Sequence, residues 1–177
     1  MAVERFFEEF CRVIDEFKNS GDYPVLKFDR VEADDIGSYI VKYVRKLRKQ
    51  GIYWKIKLLS SDRDWDLLID EYTSRFSYVT RKEITYDNWN EHYEYGIDDH
   101  ISIKCLTGDS GDNIPGVPGV GPKKALDLIN KYGTAYDVAA VLPITSKYKY
   151  IANLNDFGAD NIIRNYQLMD LVTCCED

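Results

Sequence analysis

The stretch Gly116-Val117-Pro118-Gly119-Val120-Gly121-Pro122-Lys123-Lys124 constrains the fold more than any other part of this chain. Glycine and proline at this density cannot continue a helix or a strand, so the backbone must turn back on itself here. A helix is expected to end at Gly108, and Pro122 suits the first turn of another. A bare connector between two helices would account for glycines and prolines, but not for the regular Gly-x-x-Gly-x-Gly-x-Lys spacing. Gly116, Gly119 and Gly121 let backbone N–H groups come close to a phosphate at the start of the following helix. Lys123 and Lys124 would flank that phosphate, with Lys131 close by and Asp127 the one acid within the run.

Acidic residues cluster elsewhere at turns and helix starts. The clusters are Glu32-Ala33-Asp34-Asp35, Asp62-Arg63-Asp64 and Asp109-Ser110-Gly111-Asp112. Each has an ordinary explanation. Acids opening a helix complement its dipole and cap free N–H groups, and an Asp in a turn often makes an Asx-turn. Taken together they point further, because oxygen-rich sites without His or Cys select hard cations such as Mg²⁺ or Mn²⁺. His92 and His100 lie outside the clusters, which disfavours zinc. Two cations about 4 Å apart can activate a water and stabilise the leaving oxygen of a phosphodiester. Asp66 is expected to start the next helix rather than bind metal.

A hydrophobic fraction of 45% and an aromatic fraction of 14% suffice for a real core. No apolar run approaches the roughly 20 residues that span a bilayer, so no membrane partner is expected. A net charge of −7 argues against a protein that coats nucleic acid indiscriminately. Cys11, Cys105, Cys174 and Cys175 show no zinc spacing, and a reduced, cytoplasmic setting is expected.

Apolar periodicity predicts a helix over residues 4–18 carrying Phe6, Phe7, Phe10, Ile14 and Phe17. A short strand at 25–28 follows, then a helix over about 33–49 with Ile36, Ile40, Tyr43, Val44 and Leu47 as its buried stripe. Strands are expected at 52–59, 75–80 and 83–86, with a helical pattern from Asp87 and a compact helical region from about residue 98. Strands delivering acids at their carboxyl ends are the mark of an α/β sheet with a functional edge.

In order and spacing these motifs resemble the 5′ nucleases of the flap endonuclease superfamily, above all the bacteriophage 5′–3′ exonucleases. The resemblance runs from about Glu4 to Thr173. It rests on Val31-Glu32-Ala33-Asp34-Asp35, on Ser60-Ser61-Asp62-Arg63-Asp64-Trp65-Asp66, on Ile103 to Ile114 and on the glycine hairpin. It implies an α/β, PIN-like (Rossmann-like) core over residues 1–97 and a helical region with a helix–three-turn–helix over 98–177. It implies that Glu32, Asp34 and Asp35 serve a first metal site, and that Asp62, Asp64, Asp109 and Asp112 hold a second. Lys104 and Arg81 would contact DNA, and Lys104, Asp34 and Asp62 would act in catalysis. K⁺ could bind backbone carbonyls of the hairpin.

Family members open with a strand-borne aspartate, a second aspartate and a helical arch, which this sequence lacks. The expectation is therefore a partial core with an incomplete first metal site and uncovered strand edges. A separate N-terminal half, an excised fragment and a retired catalyst each fit that departure. The function implied is metal-dependent hydrolysis of DNA near 5′ ends, flaps or branches, in phage replication or repair within a bacterial host. A non-catalytic, structure-specific DNA-binding module is the alternative. A phosphatase-like domain for small phosphoesters fits less well, since such a substrate has no use for a distant backbone clamp.

Overall fold

The computed structural model describes residues 2–173, with side chains from residue 5 onward. Cys174 and Cys175 lie outside the described residues. The chain forms two compact units, one up to Gly37 and one from Ser38 onward.

In the first unit, helix α1 (Ala2–Ser20) is the amphipathic helix its periodicity predicts. Its aromatic side chains Phe6, Phe7, Phe10 and Phe17 are exposed. The Ser20 hydroxyl donates to the Phe17 carbonyl, and Gly21 takes a positive φ to end the helix. The strand expected at 25–28 is not formed. A strand exists only through a hydrogen-bonded neighbour, and Leu26 and Phe28 are exposed in this segment. Helix α2 (Ala33–Arg48) opens in this unit, where Asp35 Oδ2 accepts from the Glu32 N–H at 3.2 Å.

The second unit begins with the rest of α2. Val41 packs with Leu58 and Leu68, and Ser38 and Val44 are buried beside it. Ile40 and Tyr43, expected in the buried stripe, are exposed instead. Several apolar residues ring this helix, and the sheet it meets, rather than periodicity, selects the buried face. Strands β1 (Ile56–Leu59), β2 (Thr73–Ser77) and β3 (Lys82–Ile84) form a sheet in the order β1-β2-β3. β1 and β2 are parallel with Ile56 opposite Thr73, and β2 and β3 are antiparallel with Arg75 opposite Ile84. Each strand is shorter than its apolar run suggested. Residues 78–81 form the turn between β2 and β3, with Arg81 in the left-handed region at φ 57°.

The helical pattern expected from Asp87 resolves into 3₁₀ turns at Trp89–Glu91 and Ile97–Asp99. Regular helices follow: α3 (His100–Thr107), α4 (Pro122–Tyr132), α5 (Ala135–Ala140), α6 (Lys149–Phe157) and α7 (Ala159–Met169). Ile103, Leu106, Ala125, Leu128, Leu154 and Ile162 lie in their shared core. Among the described residues no helix is long and apolar enough to cross a membrane.

Candidate metal centre and hairpin

β1 leads directly into the turn that carries Asp62 and Asp64. The Asp62 carboxylate accepts from the Asp64 N–H at 3.0 Å, the Asx-turn its ordinary explanation foresaw. This turn is held from below by a group the sequence did not single out for function. Asp66, fully buried, pairs with buried Arg75 of β2, whose Nη1 also donates to the Ser60 carbonyl at 3.0 Å. The Tyr93 hydroxyl donates to Asp66 as well, and burial with this neighbouring carboxylate pushes its own pKa up. The short helical turn Asp64–Leu68 starts two residues before Asp66, which was expected to open it, and the Asp66 carboxylate is spent on Arg75 and Tyr93. An arginine within the buried-exposed alternation of β2 was the one available signal, since such a residue is rarely buried without a partner.

The third acidic cluster arrives from α3. Helix α3 ends at Gly108, where β4 (Gly108–Asp109) pairs antiparallel with β5 (Ile114–Pro115). Gly108 has φ 75°, and a Cβ there would meet the Gly116 nitrogen at 2.3 Å. A Cβ on Gly116 would in turn lie 2.0 Å from the Thr107 carbonyl, so close backbone approach demands glycine at both positions. The short ladder closes a loop that brings Asp109 and Asp112 toward Asp64. Carboxylate oxygens of these three residues lie within 4.8 Å of one another.

Lys104, in the last turn of α3, reaches into this cluster. Its Nζ bonds Asp109 Oδ2 at 3.0 Å and also contacts Asp64. Burial works against the ammonium, but the bonds from Asp64 and Asp109 outweigh it and raise its pKa. Lys104 in turn lowers the pKa of Asp109, while burial and the charges of Asp64 and Asp109 raise that of Asp112. An ammonium lodged between two carboxylates shows that this all-oxygen donor set accommodates a cation, which fits a divalent ion.

The remaining candidates are not members of this trio. Glu32, Asp34 and Asp35 stand at the start of α2 in the first unit, with Asp34 and Asp35 in its first turn. Asp62 is outside the converging trio, on the same turn as Asp64. Arg81 is exposed in the β2–β3 turn.

The hairpin leaves the ladder at Gly116 and enters α4 with Gly121 as its extended N-cap and Pro122 in the first turn. Two hydrophobic residues anchor it, Val117 through its N–H to the Leu106 carbonyl at 2.8 Å and Val120 by burial. Buried Asn165 of α7 donates to the Cys105 and Pro115 carbonyls at 2.9 and 2.8 Å, tying α3 to the hairpin base. Gly119 (φ 80°), Gly121, Lys123 and Lys124 remain exposed. Lys124 Nζ folds back to the Gly119 carbonyl at 2.7 Å.

Known nucleases are similar to this chain in sequence and in fold. A family profile for the 5′–3′ exonuclease C-terminal SAM fold matches residues 97–176. The flap endonuclease of Escherichia phage T5 is 38% identical over 175 residues, 98% of this chain and 57% of that protein. A 5′–3′ exonuclease of Halalkalibacterium halodurans is 32% identical over 146 residues, 80% of this chain and 46% of that protein. The crystal structure of the T5 D15 protein with metal ions has a TM-score of 0.87 at 38% identity, covering 97% of this chain and 61% of that one. A T5 D15 flap endonuclease variant solved with DNA and metal ions gives the same TM-score, 0.87, and the same coverage, 97% and 61%, at 38% identity. The chain thus spans about half the length of the curated relatives it matches. With its α/β, PIN-like core and helical hairpin region, the chain is a homologue of 5′–3′ exonucleases and of the T5 flap endonuclease.

Proposed function

We propose that this chain is the carboxylate- and hairpin-bearing part of a divalent-metal-dependent 5′ nuclease that hydrolyses DNA phosphodiesters near 5′ ends, flaps or branches. The convergence of Asp64, Asp109 and Asp112 within 4.8 Å supports it most directly. A divalent ion held there, Mg²⁺ or Mn²⁺ on the hard-donor rule, would supply an activated water and neutralise charge at the leaving oxygen.

The chain's own residues divide the work. Asp64, Asp109 and Asp112 would bind the cation, with Asp62 shaping the turn from alongside. Glu32, Asp34 and Asp35 would serve the first metal site. Lys104 holds Asp64 and Asp109 together and, released from them, would face the scissile phosphate as a point charge. The hairpin N–H groups with Lys123 and Lys124 would hold duplex by its backbone, without reading bases. K⁺ could bind backbone carbonyls of the same hairpin, and Arg81 would add a phosphate contact. A further N-terminal nuclease part belongs to this reading, because the curated relatives run to nearly twice this length. So does a cytoplasmic setting, in which Cys11 and Cys105 stay reduced.

The test is cleavage of a 5′-labelled flap with Mg²⁺ or Mn²⁺ by wild type, Asp64→Ala and Asp112→Asn. Metal-dependent cleavage that both variants lose by several orders of magnitude is expected. Undiminished cleavage by both would overturn the assignment. Salt-sensitive binding to branched DNA without cleavage, even with the N-terminal part supplied, would leave the DNA-binding module.

A further inference from the structure

Charge is unevenly distributed along this acidic chain. Residues 120–152 carry five lysines against two aspartates, although the whole chain has a net charge of −7. The lysines interleave with tyrosines in Lys147-Tyr148-Lys149-Tyr150, which enters α6. Tyr148 and Tyr150 stack with ring centroids 5.8 Å apart. Lys147 lies over the Tyr148 ring at 5.8 Å, and Lys124 of the hairpin helix lies over Tyr150 at 5.0 Å. Beneath them is a groove of about 180 Å³ whose walls include Asp127, Lys131, Thr145, Ser146, Tyr148 and Tyr150.

The groove is built rather than incidental. Asn155 of α6 grips Ile144 from both sides, accepting its N–H and donating to its carbonyl, each at 2.8 Å. Asn153 of the same helix donates to the Pro118 carbonyl at 2.7 Å, which couples the groove to the hairpin. Its position is therefore set relative to any strand the hairpin holds.

We propose that this groove takes one unpaired nucleotide of a DNA strand running on from the hairpin, with the base stacked on Tyr148 and the phosphate met by Lys131 and Lys147. Tyr148 is 55% exposed, and a base would stack on its ring by displacing the Lys147 ammonium that lies over it. Aromatic faces interleaved with cations suit a stacked base and its phosphate better than a bare phosphate track, where the rings would be idle. The space admits a planar ring but no duplex. Groove hydroxyls on Thr145 and Ser146 offer donors and acceptors to any base edge, so sequence tolerance is expected. The site deepens the proposed function and rests on that reading for the duplex beside it.

The experiment compares a blunt duplex with the same duplex carrying a short single-stranded extension with 2-aminopurine. Anisotropy reports affinity and 2-aminopurine quenching reports stacking. Wild type is expected to quench the unpaired base and to prefer the extended duplex. Tyr148→Ala is expected to abolish quenching and to weaken extended-duplex binding roughly tenfold or more, leaving blunt-duplex binding unchanged. Tyr148→Phe should restore both, and Lys147→Ala should lower the logarithmic salt slope by about one. Blunt-duplex binding without quenching would overturn the groove and leave the hairpin reading standing. Quenching without duplex binding would do the reverse, and failure of both would overturn both. Displacement of the oligonucleotide by polyglutamate as readily as by unlabelled DNA would overturn the groove in favour of an acidic protein partner.

Discussion

Arg75 Nη2 donates to Asp66 Oδ2 at 2.9 Å, and both side chains are almost wholly removed from solvent. The same guanidinium reaches the Ser60 carbonyl, so one buried cation fixes both the core and the turn that presents Asp64. Replacing Arg75 with Met would strand Asp66 as a buried charge, at a cost of about 3–5 kcal/mol. Urea unfolding should show that loss, and the double variant Asp66→Leu/Arg75→Met should recover a large part of it. An Arg75→Met protein as stable as wild type would show that the pair is energetically idle.

Lys104 stands where positive charge is wanted by Asp64 and Asp109. Lys104→Met should therefore lower the melting temperature in chelator, because two carboxylates lose their counter-charge. Added Mn²⁺ should raise the melting temperature of this variant more than that of wild type, since the ion no longer competes with an ammonium. Equal metal-induced shifts in both proteins would mean that the ion binds elsewhere.

The glycines of the hairpin separate by role. Gly108→Ala and Gly116→Ala should each cost several kcal/mol of stability, because a Cβ would strike backbone at 2.3 and 2.0 Å. Gly121 has ordinary φ and open space around it, so Gly121→Ala should fold as wild type does. If that face approaches phosphate, Gly121→Ala should still weaken duplex binding several-fold by anisotropy. Unchanged binding would remove Gly121 from the contact surface.

Acid should weaken the fold in two stages. Burial holds the His100 imidazole down at about 4, against an unfolded value near 6.5. Its depressed pKa means that stability is full above pH 6.5 and falls by about 3 kcal/mol toward pH 4. Asp70 follows. Burial alone would raise it, but Arg48, the Tyr72 N–H and Arg45 hold it at about 2, so further stability is lost as the pH falls from about 4 toward 2. Unfolding free energies at pH 7, 5.5 and 4 should show the first stage in wild type and its absence in His100→Phe. An unchanged pH slope in that variant would place the first stage elsewhere.

Local chemistry was legible from residue order alone. The turn at Gly116 to Gly121, the helix start at Pro122, the end of α3 at Gly108 and the amphipathic α1 all follow from φ preferences and apolar spacing within a few residues. Positions of the acidic clusters at turns and helix starts were equally plain. What tertiary structure alone decided involves partners far apart in the chain. Asp64 meets Asp109 and Asp112 across more than forty residues, because the β4–β5 ladder folds the loop back. Arg75 finds Asp66 because β2 lies parallel beside β1, and α2 buries Val41 rather than Ile40 because the sheet meets that side. The residues at 25–28 had strand-like composition and no strand partner. Helix and turn propensities act within a few residues, so the sequence determined them directly. Strand pairing, buried ion pairs and metal-ligand geometry join distant segments, and only the packed chain decides which ones meet.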